Sequence, residues 1–271
     1  MLKIQFIESL DDPRLGPYRT LRRPMDHRQQ NIFVAEGSLV VQRLLESDLP
    51  VLSLLLTEEW LRRVEPLLQA RSGSIDVCVV PKELIEQTTG FSCHQGLKAV
   101  GKIPTLPTME SVVQGSPHPQ LFAAVDSLAN AENVGTLVRN CTAFGVQALF
   151  VGETSSSPYL TRAVRCSMGT VFKLAVVEVA NLTQTLRDLR ARGVRCVAAH
   201  PTEERNRLSQ TDLSGDCCLV FGNEGNGLSA AVLEACDAAA AIPMQTAVDS
   251  LNVGCASAAF LYEANRQRGK A

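Results

Sequence analysis

The sequence predicts an α/β protein built from two domains. Strand-like and helix-like segments alternate in both halves of the 271-residue chain, and this alternation is typical of sheets covered by helices. Between the halves, residues 101–120 contain four prolines and two glycines, which indicate a boundary between packed units. We therefore expect one domain at 1–104, a linker at 105–120 and a second domain at 121–271.

The first domain contains a short series of periodic segments. Apolar positions in residues 38–45 have helical spacing, which predicts a helix. The sequence then predicts, in order, a strand at 51–56, a helix at 60–68 and a strand at 75–80. This order indicates a small three-layer α/β/α domain.

The second domain begins with the apolar run 121–125, which predicts a buried strand. A helix follows from Asn133 to Phe144, because Gly145 is a typical C-terminal stop. Further strands are predicted at 148–151, 194–199 and 217–221, and further helices at 159–166, 182–191, 229–236 and 250–266. This alternation implies a mostly parallel sheet with helices on both faces.

The composition is that of an ordinary globular protein, with 45% apolar and 20% charged residues. No segment approaches the roughly 18 apolar residues that a membrane helix needs. The N-terminus resembles no secretory signal, because it lacks a sustained apolar stretch and soon meets Asp11 and Asp12. We expect a cytoplasmic protein that does not bind a membrane.

Cysteine and histidine usage predicts neither disulfides nor a metal site. The nine cysteines are odd in number, form no C-x-x-C pair and stand mostly in apolar runs, so we expect reduced thiols. The histidines show no metal-ligand spacing. They are His27, His94, His118 and His200.

Three polar or glycine-bearing segments interrupt the second domain at the ends of apolar runs. They are residues 133–135 with Arg139, residues 221–228, and residues 242–244 followed by 250–253. Because ligands bind at the carboxyl ends of strands in α/β domains, we expect these segments to form one site. A nicotinamide dinucleotide is disfavoured, since the glycines of 222–227 follow the order G-x-x-G-x-G instead of G-x-G-x-x-G.

In order and wording, these segments resemble the three motifs of the SpoU/TrmH family within the SPOUT superfamily. Its members are S-adenosylmethionine-dependent RNA ribose 2′-O-methyltransferases. The resemblance spans about 121–271 and implies a parallel sheet with a C-terminal trefoil knot, and a homodimer. Ribosomal RNA is the first expected substrate. The alternatives are transfer RNA, and a catalytically inactive RNA-binding protein of the same fold.

The first domain resembles the RNA substrate-binding domain of many family members, through Glu36-Gly37 and residues 94–99. A group of basic residues near the N-terminus, Arg22, Arg23 and Arg28, is expected to contact RNA, although acidic residues nearby also fit a solvated arm of mixed charge. Arg165 lies in another family-like segment, where it is either an RNA contact or an ordinary surface cation.

For the cofactor, the resemblance indicates S-adenosylmethionine. The apolar side chains would form a slot for its adenine, and glycines would let the main chain approach closely. Ile242 and Leu251 are otherwise simple core residues. The expected cofactor-binding residues are His200, Gly222, Asn223, Gly225, Ile242, Pro243, Met244, Leu251 and Asn252.

The resemblance makes Arg139 the central catalytic residue. A guanidinium does not readily lose a proton, so we prefer that Arg139 binds a phosphate and stabilises the developing 2′-alkoxide, although a role as base stays open. Ser250 and Asn252 are alternatively helix caps. The remaining expected positioning residues are Asn133, Glu224, Ser250 and Asn252.

Overall fold

The computed structural model describes residues 2–21, 24–89, 96–201, 207–223, 225–245 and 250–270. The chain forms two compact units. The first unit combines Met1–Thr105 with Tyr159–Phe172, and the second combines Leu106–Pro158 with Lys173–Ala271.

The helices and strands are numbered in chain order. Up to Thr105 they are β1 (Leu2–Phe6), α1 (Gly16–Arg19), α2 (Pro24–Gln29), β2 (Ile32–Glu36), α3 (Ser38–Glu46), β3 (Val51–Leu56), α4 (Glu58–Gln69), β4 (Ile75–Val79), α5 (Lys82–Thr89) and β5 (Leu97–Lys102). After it they are α6 (Met109–Gly115), β6 (Leu121–Val125), α7 (Ala131–Ala143), β7 (Ala148–Val151), α8 (Thr161–Cys166), β8 (Ala175–Glu178), α9 (Leu182–Ala191), β9 (Arg195–Ala199), β10 (Cys217–Phe221), α10 (Ala230–Ala235), β11 (Ala238–Ala240) and α11 (Val253–Gln267).

The first unit is built on a five-stranded sheet of order β1-β4-β3-β5-β2. Strands β1, β3 and β4 are parallel, whereas β5 runs antiparallel to both of its neighbours. The predicted helix at 38–45 and strand at 51–56 are confirmed as α3 and β3.

The segment Tyr159–Phe172, which contains α8, belongs to the first unit. The ring of Phe33 on β2 lies 5.8 Å from the ring of Tyr159 and 5.3 Å from that of Phe172. Arg43 on α3 donates a 2.7 Å hydrogen bond to the Met168 carbonyl. An aromatic cluster and a charge-assisted hydrogen bond thus hold this distant segment in place.

The second unit is built on a six-stranded sheet of order β11-β9-β10-β6-β7-β8. All of its neighbouring strands are parallel, as predicted. The central strands β6, β7 and β10 are buried along their whole length, which is why they read as continuous apolar runs.

Alternation along the central strands supplies apolar contacts on both faces of this sheet. On one face, the ring of Phe122 meets that of Phe150 edge-on at 5.6 Å. On the other, Phe221 at the end of β10 meets Phe260 of α11 edge-on at 5.9 Å. The contact between Phe221 and Phe260 fixes α11 beside the carboxyl end of β10.

At the amino ends of the strands in the six-stranded sheet, side chains of the same unit form hydrogen bonds with the backbone. Arg268 follows α11 and donates hydrogen bonds to four backbone carbonyls just before β6 and β10, namely those of Pro119, Gln120, Leu213 and Gly215. Asp216 accepts from the Gln120 N–H at 2.7 Å and contacts His118 Nδ1 at 2.7 Å. The Gln120 carbonyl also accepts from the Cys217 N–H at 3.0 Å, and the remaining bonds pair backbone groups just before the strands.

The residues predicted as a linker are partly ordered by the second unit. Helix α6 lies within 105–120, and its Met109 and Val112 are buried in the core of that unit. Its N-cap is Thr108, whose hydroxyl accepts from the Ser111 N–H. The trefoil knot stays a prediction.

Within the described ranges, no helix is both long and apolar enough to cross a membrane.

Candidate functional site

A cavity of about 320 Å³ opens at the carboxyl ends of β9, β10 and β11. The segments after these strands and the first turns of α11 form its walls. The structure brings together most of the predicted cofactor residues here, namely His200, Gly222, Asn223, Gly225, Ile242, Met244 and Leu251, together with Ser250. Pro243 and Asn252 do not line it.

The glycine loop after β10 forms one wall of the cavity. The loop folds back on itself through two backbone hydrogen bonds between Asn223 and Gly227, of 3.0 and 2.9 Å. A Cβ atom on Gly222 would lie 2.4 Å from the Gly227 carbonyl carbon, so only glycine fits there. The cavity wall is therefore main chain at this point.

The Asn223 side chain stabilises the same loop. Its Oδ1 accepts from the N–H groups of Gly225 (2.8 Å) and Asn226 (3.2 Å), and its Nδ2 donates to the Ser127 carbonyl (2.9 Å). Because the carboxamide is engaged at both ends, Asn223 shapes the wall from within the loop.

His200 presents an unsatisfied polar atom at the cavity. Its backbone N–H donates to the Ala240 carbonyl at 3.1 Å, which fixes the residue directly after β9. Its Nδ1 is buried and has no hydrogen-bond partner among the described residues. A buried nitrogen without a partner costs about 1–3 kcal/mol, and a ligand in the cavity can supply that partner.

The apolar wall contains residues that the sequence reasoning missed. Val253, Ala256 and Phe260 lie on one face of α11 and line the cavity beside Leu251. Their spacing of three and four residues is the helical signal that would have identified them.

The first turn of α7 is capped from within. The helix begins at Ala131, two residues before the predicted start, because Asn130 is its N-cap. The Asn130 side-chain oxygen accepts from the N–H groups of Glu132 (2.8 Å) and Asn133 (3.3 Å). Two of the N–H groups at the start of α7 are therefore bonded to the cap and not available to an anion.

Asn133 and Asn252 form a direct pair. Asn252 Nδ2 donates to Asn133 Oδ1 at 3.0 Å, while Asn252 Oδ1 accepts from the Gly254 N–H at 2.8 Å. Asn252 is thus both the N-cap of α11 and a side-chain link to α7. Ser250 lies two residues before this cap and lines the cavity instead.

Arg139 lies exposed on α7, six residues after Asn133. Within the ranges that the structure describes, its guanidinium makes no hydrogen bond and no ion pair. Its donors are therefore available to an anionic ligand. Glu224 lies outside the described residues, so its expected role as a positioning residue stays a prediction.

The residues predicted to bind RNA fall in the first unit. Arg165 on α8 lies 3.7 Å from Glu36, with about half of its side chain exposed. The other Glu36 oxygen lies 3.7 Å from the Nζ of Lys98, which is fully buried. Arg28 is exposed on α2, while Arg22 and Arg23 lie outside the described residues.

The described cysteines are free thiols, and five of these eight are buried. Burial raises the pKa of the Cys217 thiol to about 11, even though Arg268 lies beside it. In the part of the chain that the structure describes, no three His, Cys, Asp or Glu side chains are grouped so as to hold a metal ion.

Comparison with known proteins assigns the family. The signature of the SpoU rRNA Methylase family matches residues 120–262, more than half of the chain. The chain belongs to the SpoU rRNA methylase family. The match covers every element of the site, from the start of β6 to the middle of α11.

Several SpoU relatives match over most of their length. An uncharacterized tRNA/rRNA methyltransferase of Mycobacterium tuberculosis is 32% identical, over 98% of this chain and 93% of its own. The 23S rRNA (guanosine-2′-O-)-methyltransferase RlmB of Ralstonia nicotianae is 30% identical, over 76% of this chain and 84% of its own. The crystal structure of an AdoMet-bound rRNA methyltransferase from Sinorhizobium meliloti superposes with a TM-score of 0.82 at 26% identity, covering 97% of this chain and 98% of that one.

Proposed function

We propose that this protein transfers a methyl group from S-adenosylmethionine to the 2′-hydroxyl of a ribose in RNA, with ribosomal RNA as the substrate. Membership of the SpoU rRNA methylase family supports the reaction class. The observation that carries the proposal is the cavity at the carboxyl ends of β9, β10 and β11, which is lined by residues of the second and third motif segments, 221–228 and 242–253.

The residues around the cavity fit S-adenosylmethionine. Gly222 lines the cavity without a side chain, so a ligand can approach its backbone groups. The unsatisfied Nδ1 of His200 offers a side-chain hydrogen bond. The apolar side chains of Ile242, Met244 and Leu251 suit an adenine ring, since pockets for such ligands are apolar with a few polar groups.

When bound, S-adenosylmethionine supplies an activated methyl group. In our proposal, Arg139 binds the phosphate beside the target ribose and stabilises negative charge on the 2′-oxygen, a task that suits a permanently charged group with five donors. Asn133, held by Asn252, orients the nucleotide. Ser250 and Glu224 remain proposed positioning residues. The proton of the 2′-hydroxyl leaves to the neighbouring phosphate or to water.

Ribosomal RNA is preferred because the named RlmB relative acts on 23S rRNA. Transfer RNA is the second candidate, since the mycobacterial relative is named a tRNA/rRNA methyltransferase.

The first unit is proposed to bind RNA, through Arg22, Arg23, Arg28 and Arg165. The protein is also proposed to act as a homodimer in the cytoplasm. Support for a dimer comes from Tyr262 on α11, a large side chain that is 53% exposed. Sedimentation of the purified protein tests the oligomeric state.

The decisive experiment is transfer of a labelled methyl group from S-adenosylmethionine to ribosomal or transfer RNA taken from cells that lack this protein. The RNA is then digested to nucleosides. We expect label in 2′-O-methylribose, in ribosomal RNA and at one nucleotide.

Label only in transfer RNA would favour the second candidate. If neither RNA nor assembling ribosomal particles accept label while the protein still binds S-adenosylmethionine, the protein is a catalytically inactive RNA-binding member of the family.

A further inference from the structure

Helices α7 and α11 approach each other very closely inside the second unit. A Cβ atom on Gly254 would lie 2.6 Å from the Cγ2 methyl of Thr136, so glycine is what permits this approach. Gly254 is buried in the first turn of α11, beside the Asn252 cap. The contact therefore lies at the end of α11 that borders the cavity.

Asn140 joins the two helices at the same place. Its Nδ2 donates to the Gly254 carbonyl at 2.6 Å and to the Ser257 hydroxyl at 3.0 Å, so both amide hydrogens are used. Ser257 is fully buried and donates in turn to the Gly254 carbonyl at 2.9 Å. A closed hydrogen-bond network of this kind favours one relative placement of the helices.

The network connects two parts of the site. On α11, Val253 and Ala256 lie beside Gly254 and Ser257 in sequence and line the cavity. On α7, Arg139 directly precedes Asn140. Successive residues of a helix are turned by about 100°, so holding Asn140 against α11 also sets the direction in which Arg139 leaves α7.

We propose that Asn140 is a positioning residue for methyl transfer, which holds the helix of Arg139 in register with the cavity wall formed by α11. The inference rests on the proposed function, because it assumes that Arg139 acts on the substrate. Asn140 itself does not line the cavity. Misplacement of a reacting group by about 1 Å can cost about 10²-fold in rate.

The chain provides a matched control in Asn265. Its Nδ2 donates to the Phe144 carbonyl at 2.9 Å, and thus also ties α11 to the end of α7, but near the opposite end of α11 from the cavity. Asn140→Ala and Asn265→Ala remove the same kind of contact between the same two helices. Only the first lies next to Arg139 and the cavity wall.

The experiment measures kcat for methyl transfer to RNA, the Kd for S-adenosylmethionine and the melting temperature of both variants. We expect both variants to lose similar thermal stability. Asn140→Ala should lower kcat by about 10- to 100-fold with a Kd within about threefold of the wild type. Asn265→Ala should leave kcat within about twofold. An unchanged kcat in Asn140→Ala, or an equal loss in both variants, would overturn the inference.

A second pair of variants tests the register of the helices if Asn140→Ala does not fold. Gly254→Ala adds a methyl that meets the Thr136 methyl, so it should lower kcat. Thr136→Ser removes that methyl and keeps the hydroxyl that bonds the Glu132 carbonyl. The added Cβ would still lie 3.0 Å from Asn252 Oδ1 and 3.3 Å from the Thr136 Cβ position, so the double variant should regain part of the lost activity. Full activity of Gly254→Ala, or no recovery in the double variant, would contradict the inference.

The two proposals fail in different ways. A wild-type protein that methylates no RNA contradicts the proposed function. An active wild type with an equally active Asn140→Ala variant contradicts only the role of Asn140.

Discussion

Arginine has different roles at the amino ends and at the carboxyl ends of the strands in the six-stranded sheet. At the amino ends of the strands, Arg268 donates hydrogen bonds to four backbone carbonyls and to Cys217 Sγ. Helix α7 follows the carboxyl end of β6. Its Arg139 is exposed and makes no hydrogen bond or ion pair among the described residues. Asp216 is likewise bonded at the amino ends and His200 Nδ1 is unsatisfied near the carboxyl ends, but among the described residues the amino ends also hold one buried unsatisfied atom, Gln120 Oε1.

This difference separates polar groups that stabilise the fold from polar groups that are available to bind a ligand. At the amino ends, Arg268 and Asp216 are bonded to the protein itself, so changing them should alter stability. At the carboxyl ends, the Arg139 guanidinium and His200 Nδ1 have no partner among the described residues, so changing them should alter binding or turnover. Variants at the two ends of the strands test this distinction between stabilising and ligand-binding groups.

The largest effect is expected for Arg139→Ala. Loss of the group that stabilises the developing charge should lower kcat by about 10²- to 10³-fold, the usual effect of removing one such donor. The Kd for S-adenosylmethionine should stay within several-fold, because Arg139 does not line the cavity. Methyl transfer and calorimetric binding measure the two quantities. Unchanged turnover would remove Arg139 from the mechanism.

Gly222→Ala should weaken cofactor binding. The added Cβ would meet the Gly227 carbonyl carbon at 2.4 Å, and the loop must move to accept it. We expect an increase in the Kd for S-adenosylmethionine of about tenfold or more, since a shift in the wall loses one or more hydrogen bonds. Gly115→Ala at the end of α6 is the control, because its Cβ would meet nothing within 4 Å and Gly115 does not line the cavity. Equal Kd values for both variants would show that the loop tolerates the movement.

At the amino ends of the strands, Arg268→Ala should lower the free energy of unfolding and leave kcat unchanged. It leaves backbone carbonyls without donors, which should lower the free energy of unfolding by about 1–3 kcal/mol. Each kcal/mol corresponds to about 2–4 °C in melting temperature for a unit of this size. The control is Arg266→Ala, which removes an exposed ion pair with Glu263 and should cost under about 1 kcal/mol. A lower kcat in Arg268→Ala would contradict the distinction between stabilising groups at the amino ends of the strands and ligand-binding groups at their carboxyl ends.

The smallest effect concerns Asp216 and depends on pH. Partial burial raises its pKa, but hydrogen bonds from the Gln120 N–H and His118 outweigh this and hold the pKa below its ordinary value. A lowered pKa in the folded state stabilises the protein above about pH 4, and this contribution disappears as pH falls through the folded pKa. Asp216→Asn should therefore be less stable at pH 7, with a difference that shrinks below pH 4. A difference that does not vary with pH in denaturant titrations would contradict this.

The buried central strands were predictable from the sequence. Residues 121–125, 148–151 and 217–221 are continuous apolar runs, and they form β6, β7 and β10 with the predicted bounds. Their burial on both faces produces the pattern, so sequence and structure agree where the core is deepest.

Other strands gave a weaker signal. Strand β11 consists of Ala238–Ala240, and alanine has no preference for strands. Strand β1 lies at the edge of its sheet, with Ile4 and Phe6 exposed, so burial imposes no clear pattern on it. Both strands form because neighbouring strands offer unpaired backbone groups, which is a tertiary effect.

The site was predictable in its strand-end segments and not in its helix contacts. Gly222, Ile242 and Leu251 line one cavity, as their places after apolar runs suggested. The pairing of Asn252 with Asn133 and the network of Asn140 depend on how two helices cross, about 115 residues apart in the chain. Local patterns carry no information on such crossings.

The packing of Tyr159–Phe172 on the first unit has a consequence for synthesis. Domains generally fold in order as the chain leaves the ribosome. Here the first unit cannot bury Phe33 against Phe172 until residue 172 has been made, and by then β6 and β7 of the second sheet already exist. The first unit is therefore completed when only Leu106–Pro158, about a third of the second unit, has been synthesised.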